Sequence, residues 1–271
     1  MKKRCVDLAY WFDLATSDGK KLKIKHQVTA ATEQYLIFDY QNCTQLKVSV
    51  GTSLVKAADY DLKVQRKINE KKINDLIGDF SIDQTKLPNP EYAQQTKLIV
   101  QWFTHDALVH LLSPHGLEQY GGAAWGTRDV SQGPTELLLS LQQFKQVEQI
   151  IFQVYQHQFI ENGSWPQWFM FDEYADQFAA ESHGDIVVWP LKVVADYLKK
   201  TGNEKILDSC LPFFSLQKKQ LLTSKVPLTD HLERQLDYLQ ENFLFDTSVS
   251  SYGDGDWDDT LQPADPAQKR E

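Results

Sequence analysis

The chain has 271 residues, 42% of them hydrophobic, and a formal net charge of −9 at neutral pH. That composition belongs to a globular protein with a sizeable core and excludes a disordered polypeptide. Binding to nucleic acid would need a local basic patch, and only "KKR" at the start and "KKLKIK" at 20–25 gather cations, so nucleic acid is not an expected partner.

The first segment, "MKKRCVDLAYWFDLATSDGKK", meets charged residues before any apolar run reaches signal length, and no later run is long enough to span a bilayer. Cys5, Cys43 and Cys210 are far apart and form no CxxC or His–Cys spacing, which argues against a zinc site or a disulfide framework. A soluble, cytoplasmic protein without a membrane partner is expected.

Residues 22–55 alternate apolar and polar positions with β-branched enrichment, as half-buried strands do. Two or three strand segments are expected there. From about 58, "ADYDLKVQRKINEKKINDLIGDF" places apolar residues at helical spacing until Pro88 and Pro90 break the pattern. Beyond this connector the period stays helical, in blocks starting near Glu91, Pro134, Asp185, Asn203 and Thr229. Pro134 suits a first helical turn, and Asp185 and Thr229 suit caps.

The helical blocks are joined by three long segments, 113–133, 161–184 and 245–266, rich in glycine, aromatics and charge. Loops of that length usually carry function, and in helical toroids they gather at one end. Six of the seven tryptophans, Trp102, Trp125, Trp165, Trp168, Trp189 and Trp257, lie beyond residue 100. Buried core is the simple explanation for each, and a flat hydroxylated ligand such as a sugar ring is the alternative for those in loops.

In the first loop Arg128 and Asp129 put a forked donor beside an acceptor, which suits vicinal hydroxyls or, equally, a local ion pair. In the second loop "SHGD" suggests a helix cap through Ser182 or Asp185, leaving His183 to contact substrate or an anion. No two of His105, His110, His115 and His183 stand three or four residues apart as a helical ligand pair with a carboxylate, so no metal is expected. The third loop, "SYGDGDWDDTLQPADP", crowds Asp254, Asp256, Asp258 and Asp259 around Trp257. Mutual repulsion and burial raise the pKa of such a carboxyl, and a protonated one beside an aromatic platform is what acid cleavage of a glycosidic bond requires. The competing calcium loop wants Gly at its sixth position and Glu at its twelfth; counting from Asp254 these are Asp259 and Asp265.

Together, "YGGAAWGTRDVSQGP" and "YGDGDWDDTLQPADP" resemble motifs of the inverting β-glucoside phosphorylases of glycoside hydrolase family 94, over roughly residues 90–266. The stretch "VVADYLKKTGNEKILDSCLPF" between them resembles a helix pair of that family's barrel. The resemblance implies a mainly α chain: a partial (α/α)6 toroid preceded by the end of a β-sandwich and a helical linker. The implied boundaries are 1–57, 58–90 and 91–271. It places sugar binding on Arg128, Asp129, Gln132 and Trp257, and the general acid on Asp259. Inorganic phosphate is then a co-substrate with a β-glucan oligosaccharide, giving an α-sugar 1-phosphate, and no cofactor or metal is implied.

Many members of the family carry R-D-x-x-Q-D, whereas here Gln132 is followed by Gly133, and the family's D-W-N-D asparagine is Asp258. Both features resemble the branch acting on 1,2-β-oligoglucans. Family members also continue well past the acid, so an incomplete fragment is expected, inactive alone, with the missing barrel half or a second copy as its partner. An inverting hydrolase and a non-catalytic carbohydrate-binding remnant are the alternatives.

Overall fold

The computed structural model describes residues 10–16, 23–30, 33–39, 46–52, 61–78, 80–112 and 124–254. The chain divides into two units, residues 1–65 and 66–271. In the first, β1 (Tyr10–Thr16) pairs antiparallel with β4 (Leu46–Thr52), and β2 (Lys23–Ala30) pairs antiparallel with β3 (Glu33–Asp39). Three of these strands, β2, β3 and β4, lie within residues 22–55, where two or three are expected, and one precedes that range. The extra one is β1, whose "YWFDLAT" supplies the aromatic and β-branched residues of a strand but has too little alternation to stand out beside a charged start.

The second unit is mainly helical. α1 (Leu62–Ile77) is followed by a 3-10 turn at Gln84–Lys86 and, past Pro88 and Pro90, by α2 (Glu91–Leu112). After β5 (Trp125–Gly126) come α3 (Thr127–Ser131), α4 (Gly133–Ser140) and α5 (Phe144–Gln156). Next are β6 (Trp168–Phe169) and α6 (Val188–Thr201). The strands β7 (Cys210–Ser215) and β8 (Gln220–Pro227) precede α7 (Leu228–Glu241). No described helix is long and apolar enough to cross a membrane.

Residue spacing explains the core. α5 buries Val147, Ile150, Ile151, Val154 and Tyr155, one face of a 3.6-residue repeat. α6 presents Pro190, Val193, Val194 and Tyr197 on its buried side and stops at Gly202, whose left-handed φ of 65° lets its N–H reach the Leu198 carbonyl. These faces meet each other and Trp165, Phe169, Ile186 and Leu228 in one cluster. The Trp165 indole N–H, fully buried, donates to the Val154 carbonyl at 2.9 Å.

α7 is different, because its buried stripe is Leu228, His231 and Gln235. Buried polar groups need partners, and these have them. His231 Nδ1 lies 2.7 Å from Gln158 Oε1 and Nε2 lies 3.2 Å from the Leu211 carbonyl. Gln235 accepts from the Tyr155 hydroxyl at 2.7 Å and donates to the Val187 carbonyl. The stripe thereby ties α7 to α5, to β7 and to the residue just before α6.

Three expectations fail here. The block near Asn203 is a five-residue 3-10 turn, Glu204–Asp208, followed by the β7–β8 hairpin rather than a helix. "LPFFS" is a continuous buried run, and such a run has no period to separate strand from helix. Thr229 sits inside the first turn of α7, with Pro227 at the cap position and no side-chain cap. Asp185 does not cap α6 either, since Val187 holds that position.

The hairpin turn is held by Glu161, whose carboxylate accepts from Ser215 Oγ at 2.9 Å and from the backbone N–H groups of Leu216 and Gln217 at 3.0 and 3.2 Å. Burial alone would raise its pKa, but those donors outweigh it and hold the carboxyl below its usual value. Glu161→Gln should cost about 1–2 kcal/mol, and amide hydrogen exchange at Leu216 and Gln217 should accelerate. Unchanged exchange at both would show that the turn stands without the carboxylate.

Candidate functional site

Each of the three long loops has a described portion, and these portions meet. The first loop joins the second through β5 and β6, which pair Trp125 with Phe169 and Gly126 with Trp168. Thr127 extends the join: its N–H donates to the Gln167 carbonyl at 2.9 Å and its buried hydroxyl to the Pro166 carbonyl at 2.6 Å. α3 starts at this anchored threonine, so Arg128 and Asp129 are presented from a short helix against a fixed base, with Gln132 just past its end.

Arg128 is largely buried, its side chain 15% exposed, and Nη1 lies 3.3 and 3.4 Å from the two carboxylate oxygens of Asp185. The ion pair thus spans 57 residues instead of bracing the first loop through Asp129. Asp185 also accepts from the Trp189 indole N–H at 3.1 Å. Its side chain, expected as a helix cap, is spent instead on orienting a guanidinium. Asp129 and Gln132 are half-buried, and no partner of the Asp129 carboxylate is found among the described residues.

The second loop joins the third backbone to backbone. His183 bridges Gly253, the Gly184 N–H donates to the Tyr252 carbonyl at 2.8 Å, and the Asp254 N–H donates to the Ser182 carbonyl at 3.0 Å. A β-carbon at Gly184 would stand 2.1 Å from the Ser251 carbonyl oxygen, and one at Gly253 would stand 2.5 Å from Gly184 N. Two glycines are what allow the backbones to touch. The acidic loop therefore leaves from a fixed point; Trp257 and Asp259 themselves lie outside the described residues.

His183 is the residue whose importance sequence reasoning left most open. It is 9% exposed, its Nε2 lies 3.3 Å from Gln167 Nε2, and its Nδ1 has no hydrogen-bond partner among the described residues. The glycine contact was also missed, although "SHGD" and "YGDG" both put glycine beside residues able to do chemistry.

No family model matches the chain. Over 210 residues, 78% of its length, it is 41% identical to a 1,2-beta-oligoglucan phosphorylase of Listeria innocua serovar 6a. The chain is a relative of that phosphorylase. The kinship expected from the Arg128–Asp129 and Asp256–Asp259 motifs is thus shown, with the matched region covering 19% of the Listeria phosphorylase's length.

Proposed function

We propose that the chain supplies the sugar-holding and acid-carrying part of an inverting β-glucan phosphorylase of glycoside hydrolase family 94. The observation that carries this reading is the 41% identity to the Listeria phosphorylase. The meeting of the three loops supports it, because a sugar site needs its binding residues and its acid on adjoining segments. In this reading the helices of the second unit are part of an (α/α)6 toroid and the strands of the first are the end of a β-sandwich.

The roles follow from chemistry. Arg128, held by Asp185, and Asp129 grip hydroxyls of the sugar on the non-reducing side of the scissile bond, with Gln132 and Trp257 shaping the same site. Asp259 gives its proton to the glycosidic oxygen. An oxygen of inorganic phosphate attacks the anomeric carbon from the opposite face, so the glycosidic bond breaks, the configuration inverts, and an α-sugar 1-phosphate leaves with the shortened glucan. Phosphate is itself the nucleophile, so no second carboxylate is required to activate water. The reaction needs no cofactor, and its substrates suit a cytoplasmic protein.

Because the matched region is a fifth of the relative's length, turnover is proposed for the chain joined to the remainder of such an enzyme, not for the chain alone. The test is co-expression with the rest of the Listeria phosphorylase, followed by an assay for sugar 1-phosphate from a β-1,2-glucan oligosaccharide. Asp259→Asn should lower product formation about 10²- to 10⁴-fold, and Asp254→Asn much less. Equal losses would remove Asp259 from the acid's role. Reducing sugar released without phosphate would make the protein a hydrolase, and binding without turnover in the complemented enzyme would make it a carbohydrate-binding protein.

A further inference from the structure

The strongest arginine–carboxylate pairs use the whole fork, two parallel N–H groups on two oxygens. The pair in the proposed sugar site is built differently. Both oxygens of Asp185 lie on the single nitrogen Nη1 of Arg128, at 3.3 and 3.4 Å, and among the described residues no acceptor meets Nε or Nη2. A side chain only 15% exposed is thus held at one corner, with its other donors unspent.

The carboxylate is itself held. The Asp185 side chain is 46% exposed, and an ion pair that open is weak by itself, because water and rotamer freedom compete with it. The Trp189 indole N–H, four residues on, donates to its Oδ2 at 3.1 Å. Trp189 stands in the first turn of α6, directly before the buried Pro190. The Asp185 backbone is fixed as well, by the Val188 N–H donating to its carbonyl at 3.0 Å and by the buried Ile186 beside it. At the other end, Arg128 lies between Thr127, anchored on the Gln167 and Pro166 carbonyls, and the buried Val130 of α3. Rigid elements therefore set both ends of the contact.

We propose that Asp185 and Trp189 are positioning residues of the sugar site: Trp189 orients the Asp185 carboxylate, the carboxylate fixes Nη1, and the guanidinium offers Nε and Nη2 to sugar hydroxyls in one orientation. This rests on the carbohydrate reading above. A long arginine side chain otherwise loses its rotamer freedom at the moment of binding, and ordering it beforehand removes that cost from the affinity. In this role neither Asp185 nor Trp189 touches the sugar. Asp185 also follows Gly184, whose N–H donates to the Tyr252 carbonyl at 2.8 Å, so the guanidinium is registered to the segment that leads to the acid.

The experiment titrates the chain with a β-1,2-linked gluco-oligosaccharide by calorimetry and follows the Arg128 Nε–H signal by ¹⁵N NMR. The variants are Asp185→Asn, Trp189→Phe, Arg128→Ala and the double variant that joins Arg128→Ala to Asp185→Asn. Asp185→Asn should weaken affinity about tenfold and Trp189→Phe about threefold, with the Arg128 signal moved in both. Because Asp185 acts only through the guanidinium, the double variant should bind no more weakly than Arg128→Ala alone. Losses that add would give Asp185 a merely structural role, and Asp185→Asn at wild-type affinity would remove it from the site; either overturns the proposal while the carbohydrate reading survives. If Asp185→Asn fails to fold, Trp189→Phe decides, and an unmoved Arg128 signal with unchanged affinity overturns the proposal. Arg128→Ala at wild-type affinity would overturn it too, by placing the sugar elsewhere. Absence of any sugar binding by the wild type would overturn the carbohydrate reading and this proposal with it.

Discussion

Adding one methyl group at Gly184 is expected to lower stability by about 2–3 kcal/mol, the upper part of the range for overpacking a close contact. The new carbon would lie 2.1 Å from the Ser251 carbonyl oxygen and 2.6 and 2.7 Å from the Tyr252 carbonyl carbon and oxygen. All three are backbone atoms, so no side-chain rotation relieves the clash. Either the second loop or residues 251–254 must move, and with them go the Gly184–Tyr252 and Asp254–Ser182 hydrogen bonds. The displaced segment leads directly to the acidic loop, so Gly184→Ala should weaken sugar binding as well as stability. Gly133→Ala is the control, since a β-carbon there meets nothing within 4 Å and should change stability by less than about 0.5 kcal/mol. Chemical unfolding of the two variants compares them directly. Equal costs would show that the loop contact tolerates a side chain.

Acidification is expected to destabilise the protein between pH 6.5 and about 4. His157 is buried, stacks on Phe169 at 3.7 Å and donates through Nδ1–H to the Gln153 carbonyl. Burial pushes its pKa down from 6.5 to about 4, with the Gln153 carbonyl opposing the shift in part. In the unfolded chain this ring takes up a proton as the pH falls through 6.5, whereas the folded chain refuses it until about 4. The unfolded state therefore binds more protons across that window, and stability falls as pH falls. The difference of 2.5 units is worth about 3 kcal/mol when complete. His231 adds in the same direction, since burial lowers its pKa too. Urea unfolding at several pH values measures the slope. His157→Phe keeps a flat ring against Phe169 and removes the titration, so the slope should become shallower; an identical slope would place the acid sensitivity elsewhere.

The two effects act on different parts of one arrangement. His157 follows α5 directly, under the aromatic cluster formed with Phe169, Phe171 and Phe214. Phe169 belongs to β6, which holds β5 and hence the start of α3. Gly184 holds the other end of the second loop against the third. That loop is thus fastened on one side to Arg128 and on the other to the segment leading to Asp259. A change at either fastening should reach the proposed sugar site without touching a sugar.

Local sequence determined the elements whose cause is local. The apolar spacing of α5 and α6, the proline opening of α4, the break at Pro88 and Pro90, and the β-rich start all follow from periodicity and backbone restriction within a few residues. The family motifs likewise carried the relationship to a β-glucan phosphorylase, because they are short and contiguous. Only the tertiary structure decided that Asp185 pairs with Arg128 rather than capping α6, for the partners are 57 residues apart and either use of a carboxylate fits its neighbours. The same holds for the β7–β8 hairpin, since a run as uniformly apolar as "LPFFS" acquires its conformation from what packs on it. The polar stripe of α7 also looks like a solvated face until His231 and Gln235 find Gln158, Leu211, Tyr155 and Val187 on other elements. So too the unpaired Nδ1 of His183 and the contact of Gly184 with Gly253 came into view only in three dimensions. A hydrogen bond left unmade and two backbones in contact are relations between distant segments, and no short window of residues contains them.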